Sequence, residues 1–174
     1  MAERTAVGIL CHSGWAVLVA VTGAAGSPVV LDRRRVELVD ESLPRQPYHA
    51  VARGGLPEGV IEAVAGAARN AVAVALRRVA PADTVGVVAA KRRIPTALDQ
   101  ILASHALLHA AEGHLFERAA IEAADDAGLR VVAVDPRSIE VPATVDALGR
   151  SIGPPWQKDH KRATTAALAA LIAE

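Results

Sequence analysis

The order in which strand-like and helix-like stretches follow one another constrains this chain more than any single motif does. Three strands come first, at Thr5–His12, Trp15–Thr22 and Pro28–Val39. A helix at Pro57–Val79, a strand at Thr84–Ala90, a longer helix at Thr96–Ala127, a strand at Leu129–Val134 and a last helix at Lys158–Ala173 complete the pattern. The helices rest on apolar residues recurring in i+3 and i+4 steps, the strands on short β-rich runs between turn residues. Ala6-Val7-Gly8-Ile9-Leu10 and Val85-Gly86-Val87-Val88 do not alternate apolar with polar, as expected for strands covered on both faces. The third strand puts Arg34, Val36 and Leu38 on one face and Arg33, Arg35, Glu37 and Val39 on the other, the charged pattern of an edge strand. Right-handed strand–helix–strand crossovers leave few ways to assemble these pieces. The pattern predicts one α/β domain over residues 1–174: a five-stranded mixed sheet in the order 3-2-1-4-5, with helices on both faces.

The apolar stretch from Ala6 to Gly26 has the outline of a signal peptide, but Cys11-His12-Ser13-Gly14 interrupts its centre. Two apolar runs around a Ser-Gly turn read as a β-hairpin. No other stretch is expected to supply the roughly 20 apolar residues needed to span a bilayer. The single cysteine excludes an internal disulfide and fits a reducing, cytoplasmic setting. With one Phe, one Tyr and two Trp, the core must be built from Ala, Val, Leu and Ile. The Ala and Arg bias is that of a high-GC bacterial coding preference. Net charge is zero, so any phosphate binding must come from a local patch.

The layout βββαβαβα resembles the ribonuclease H-like fold. Lys158-Asp159-His160-Lys161-Arg162-Ala163-Thr164-Thr165-Ala166-Ala167-Leu168 resembles the last helix of RuvC-type Holliday-junction resolvases, where an Asp and a His near the start of an Ala-rich helix serve the metal site. The hairpin Val7–Val21 resembles their opening strands, with Leu10, Cys11 or His12 where the family has an Asp. The resemblance implies carboxylates at strand ends holding two divalent ions, Mg or Mn, about 4 Å apart. Asp159 and His160 would carry such a metal, and the catalytic role. Lys91 stands at the end of the fourth strand, where the family has another carboxylate. Ser104–Phe116, with Tyr48-His49-Ala50, is also similar to segments of bacterial hypothetical proteins, a likeness that hands over no activity.

The residues themselves point to two further groupings. His105, His109 and Glu112 fall at i, i+4 and i+7, so they share one helix face. Two His at that spacing plus a carboxylate can ligate a transition metal, work as acid and base, or form a buried polar network. Tyr48 or His49, from the long loop, is expected to meet them, the alternative being that the two residues only pin the loop. Lys91, Arg92 and Lys161 are candidate phosphate contacts if the strand ends and the last helix meet. Gly-rich phosphate loops, nucleophile elbows and paired-Cys zinc motifs are absent. The function readings are therefore two. One is a divergent ribonuclease H-like protein binding nucleic acid or a phosphorylated ligand, with or without metal-dependent nuclease activity. The other is a non-catalytic scaffold or protein-binding module that has lost its site. A homodimer is a further partner to consider; a membrane is not expected.

Overall fold

The computed structural model describes residues 4–79 and 81–173. Its sheet has five strands: β1 (Thr5–His12), β2 (Trp15–Ala24), β3 (Ser27–Glu37), β4 (Thr84–Val88) and β5 (Arg130–Val134). They lie in the order β3-β2-β1-β4-β5, as the element order predicts. β1 pairs antiparallel with β2 and parallel with β4, so it is the centre of the sheet. The Ser13-Gly14 turn joins β1 to β2, with Gly14 at φ 84°, so the apolar N-terminal stretch is the central hairpin. β3 is the charged edge, pairing Arg35 with Val17 and Arg33 with Val19.

Strand alternation divides the core in two. Val7, Ile9, Leu18, Ala20, Val85 and Val87 face α2 (Gly59–Arg78) and α4 (His105–Asp126). Ala6, Leu10, Val17, Val19 and Val21 face α7 (Lys158–Ile172). α2 is long and apolar enough to cross a membrane by length and composition, which the sequence reading did not credit. Its Val64, Ala68, Val72 and Ala75 are instead a buried stripe in the core. Its Arg69 is paired with Asp126 of α4.

Two expectations change. The helix read as continuous over Thr96–Ala127 is α3 (Leu98–Leu102) followed by α4. Ser104 breaks it: its backbone is extended, at φ −128° and ψ 117°, and its hydroxyl accepts from the Leu107 amide, as an N-cap does. The long loop after β3 contains α1 (Pro47–Ala52), which starts on a proline and carries Tyr48 and His49. The loop before α7 holds two short turns of helix, α5 (Ala143–Ala147) and α6 (Gly149–Ile152).

α7 lies almost on the sheet backbone. Gly8 and Gly86 are register partners in β1 and β4. A Cβ at Gly8 would sit 1.7 Å from the Ala163 carbonyl oxygen, and one at Gly86 would sit 2.0 Å from that of Ala166. Ala163, Ala166, Ala167 and Ala170 are fully buried on the other side of this contact. Small residues on both partners let helix and strands approach until backbone touches backbone. Gly86→Val is expected to push α7 off the sheet and to cost at least about 1–3 kcal/mol in urea unfolding. Gly26→Ala, with open space around the site, is expected to stay within about 0.5 kcal/mol.

Candidate functional site

The close seating of α7 carries its first turn to the carboxyl end of β1. There the His12 Nε2 lies 2.9 Å from an Asp159 carboxylate oxygen. Both side chains remain partly open to solvent. The His12 ring stacks on Trp15, with centroids 4.2 Å apart and planes at 18°. The Arg35 guanidinium covers the other side of Trp15 at 3.9 Å. These four residues come from both arms of the hairpin, the edge strand and the last helix. A pocket of about 270 Å³ opens beside them, lined by Trp15, Arg33, Arg35, Gln157, Asp159 and His160.

His160 follows Asp159 in sequence and lines the same pocket, but no hydrogen bond joins the two among the described residues. Its Nδ1 accepts the Gln157 backbone N–H at 3.2 Å, which ties the ring into the start of α7. Neutral imidazole then carries its proton on Nε2, so that nitrogen has no free lone pair for a cation. Burial, followed by the Arg33 charge, lowers the His160 pKa, while Asp159 opposes the shift. The residue facing Asp159 is His12, named in the sequence only as a departure from the resolvase pattern. One carboxylate and one imidazole do not fit a pair of Mg or Mn ions, which take oxygen ligands. On the opposite face, Glu117, whose charge reaches Cys11, is held by Arg92.

The cations divide by what they already hold. The Arg33 guanidinium donates to the carbonyls of Ile152, Gly153 and Pro154, fastening the loop that leads into α7. Arg92 pairs with Glu117, and its guanidinium lies against Gly113, where a Cβ would approach it to 3.1 Å. That contact accounts for a glycine inside α4. Lys161 pairs with Asp146, and Arg162 donates to the Pro136 carbonyl. Arg92 and Lys161 therefore reach a phosphate only by giving up these partners. Lys91 and Lys158 are exposed and have no ion pair among the described residues. Leu10 pairs with Val88, the last residue of β4, and Lys91 follows three residues later.

A second polar cluster sits on the opposite face of the sheet. Glu112 is 2% exposed, and one of its oxygens accepts both the backbone N–H of His49 and its ring Nδ1–H, each at 3.1 Å. Burial pushes the Glu112 carboxyl pKa up, and the His49 contacts oppose this. His105 and His109 stand above, exposed, with their Nε2 atoms 3.0 Å apart. The helix face read from the spacing is thus a buried acid at its base and two surface imidazoles, with His49 inserted between. Tyr48 turns away into a cleft of about 220 Å³ that also holds Glu62, His114 and Arg118.

Against solved structures, the chain is similar to Thermus thermophilus RuvC in complex with a Holliday junction substrate, at 17% identity. The match covers 95% of this chain and 90% of that one, with a TM-score of 0.60. A second Thermus thermophilus RuvC structure matches at 16% identity and a TM-score of 0.55, over 95% of this chain and 92% of that one. No protein-family model and no curated protein matches the sequence. The fold is ribonuclease H-like, with the RuvC arrangement of its sheet.

Two outcomes follow from the burial. In chelator-treated protein, Glu112→Ala is expected to cost about 1–3 kcal/mol, because the His49 amide and ring lose their acceptor. His109→Ala is expected to cost less than about 0.5 kcal/mol, since the ring is exposed. Urea unfolding monitored by circular dichroism distinguishes the two. Burial, and secondarily the Glu117 charge, raises the Cys11 thiol pKa to about 12. Alkylation of native protein at pH 8 is therefore expected to be far slower than that of the urea-unfolded chain, where the thiol titrates near 8.5.

Proposed function

We propose that this chain is a ribonuclease H-like nucleic-acid-binding protein that engages phosphate at the carboxyl edge of β1 and β4 without two-metal cleavage. The His12–Asp159 pair carries this reading. It occupies the strand-end position where open α/β sheets form their sites, and it presents an imidazole there in place of a carboxylate. On this reading the His12 imidazole, with the exposed Lys91 and Lys158, supplies donors and positive charge to a phosphate oxygen. A carboxylate cluster would need cations before an anion could approach. Asp159 orients the ring through Nε2, and the His12 side chain stays partly open to solvent. The stacked Trp15 and Arg35 hold the ring plane fixed.

The RuvC likeness supports nucleic acid as the ligand class, since one matched protein is described with a Holliday junction. The donor set argues against metal-dependent nuclease action, because Asp159 is hydrogen-bonded to an imidazole rather than set beside a second carboxylate and His160 is tied into the helix start. A reducing, cytoplasmic setting agrees with the single thiol.

Binding to branched and linear DNA and to RNA, followed by fluorescence anisotropy and by Trp15 emission, tests the proposal. Affinity is expected to fall steeply between 50 and 200 mM salt. Lys91→Ala and Lys158→Ala are each expected to weaken binding and to reduce the salt slope by about one unit. His12→Ala is expected to weaken it while leaving α7 folded. No cleavage is expected with Mg²⁺ or Mn²⁺. Salt-insensitive binding, or none to any of these ligands, would favour the scaffold reading.

A further inference from the structure

The cluster on the opposite face lies outside this proposal and has the geometry of a different site. His49, His105 and His109 each offer a ring nitrogen, and the three nitrogens all lie within 4.8 Å of one another. The His49 ring centroid is 5.8 Å from that of His105 and 4.8 Å from that of His109. The rings of His105 and His109 are nearly perpendicular, at 87°, with centroids 4.4 Å apart. Three imidazole nitrogens are therefore gathered within metal-sharing reach of one another.

The His49 contact suits a cation. The Glu112 carboxylate takes the Nδ1–H of His49. In a neutral ring, Nδ1–H leaves the Nε2 lone pair free on the edge away from the acid. Carboxylate-to-imidazole support of this kind fixes ring orientation and raises the basicity of the ligating nitrogen. Glu112 is itself buried, and its second oxygen has no hydrogen-bond partner among the described residues. A buried carboxylate with one oxygen unpartnered is costly unless further compensated, and a dication on His49 would add to that compensation. The facing Nε2 atoms of His105 and His109 are 3.0 Å apart. Two nitrogens on a tetrahedral zinc ion, each about 2.0–2.1 Å from it, sit roughly 3.3 Å from each other, so this pair needs only a small adjustment while the His49 ring closes the third position.

We propose that His49, His105 and His109 form a transition-metal site selective for Zn²⁺ and similar imidazole-seeking ions, with Glu112 as the positioning residue for His49. Three nitrogen donors and no carboxylate in contact disfavour Mg²⁺ and Mn²⁺. His105 and His109 are exposed, so the fourth coordination position faces water. The ion ties α1, in the long loop, to the start of α4. The Ser104 cap is part of the design, because the helix restart at Ser104 sets both imidazoles in the first two turns of α4.

The test uses the full chain, stripped with chelator and titrated with Zn²⁺ in calorimetry and thermal melts. One ion per chain is expected, with Tm raised by about 5–10 °C at free Zn²⁺ roughly 100 times its dissociation constant. Co²⁺ in its place should give visible absorption bands of a four-coordinate nitrogen site, lost on adding Zn²⁺. His105→Ala changes a surface residue and is expected to fold normally, as His109→Gln is. Each is expected to weaken Zn²⁺ binding at least tenfold. Glu112→Gln is expected to weaken it less, by shifting the His49 tautomer, and to be distinguished by altered Co²⁺ bands. His12→Ala, on the other face, should leave binding unchanged. A Tm that Zn²⁺ does not move overturns the proposal. So does Zn²⁺ binding that is equally strong in His105→Ala and His109→Gln, or binding lost in His12→Ala. Nucleic-acid binding is read separately and does not bear on this outcome.

Discussion

The contact between α7 and the two glycines of the central strands sets the geometry of everything at the strand ends. Backbone meets backbone where Gly8 and Gly86 face Ala163 and Ala166, so no side chain stands between helix and sheet. Each heavy-atom layer removed from a helix–sheet interface brings the two elements closer than ordinary packing allows. The helix cannot slide or tilt freely in that position, because any movement drives its carbonyls into strand backbone. Asp159 is in the first turn of this helix, and His12 is the last residue of β1. Their 2.9 Å contact follows from where the helix is pinned four residues later. Arg130, donating to the carbonyls of Ala170 and Ala173, fixes the other end of the same helix.

Charge in this molecule is largely spent on architecture. An Arg can satisfy several acceptors from one planar head, and here the arginines do so with main chain and acids. Arg33 gathers the carbonyls of the loop before α7, and Arg92 ties the exit of β4 to Glu117 in α4. Lys91 and Lys158, with one strongly hydrated charge each, face solvent without an ion pair among the described residues. This division explains why runs such as Lys91-Arg92-Arg93 act less as a block than their sequence suggests: neighbours on an extended segment point in different directions and meet different partners.

The two polar centres differ in what orders them. His12 and Asp159 meet because two core elements are locked together. His49, His105 and His109 meet because a one-turn helix in a long loop is hooked by a single buried acid. Glu112 holds the loop through both the amide and the ring of His49, so backbone position and ring orientation are set by one carboxylate. The sheet separates the two centres, with α2 and α4 on one side and α7 on the other.

Much of this fold was legible from the residues alone. Continuous apolar runs marked β1 and β4 as covered on both faces, and the handedness of crossovers then left β3-β2-β1-β4-β5 as the arrangement. The i, i+4, i+7 spacing placed His105, His109 and Glu112 on one face of a helix, because helix periodicity is local. Ser104 as a cap and the mid-strand glycines were legible in principle, since Ser before a helical run and Gly inside a strand each carry a structural meaning. Other features were not. That Asp159 meets His12 rather than acting with His160 depends on contact between residues far apart in sequence, and adjacent helix residues project about 100° apart. That Glu112 lies buried under His49 while His109 stands exposed depends on where the loop docks. Sequence determines which side chains share an element and a face, since those relations are set by backbone periodicity. Only the packing of elements against one another decides which faces meet, because that depends on how closely side-chain volumes let the backbones approach.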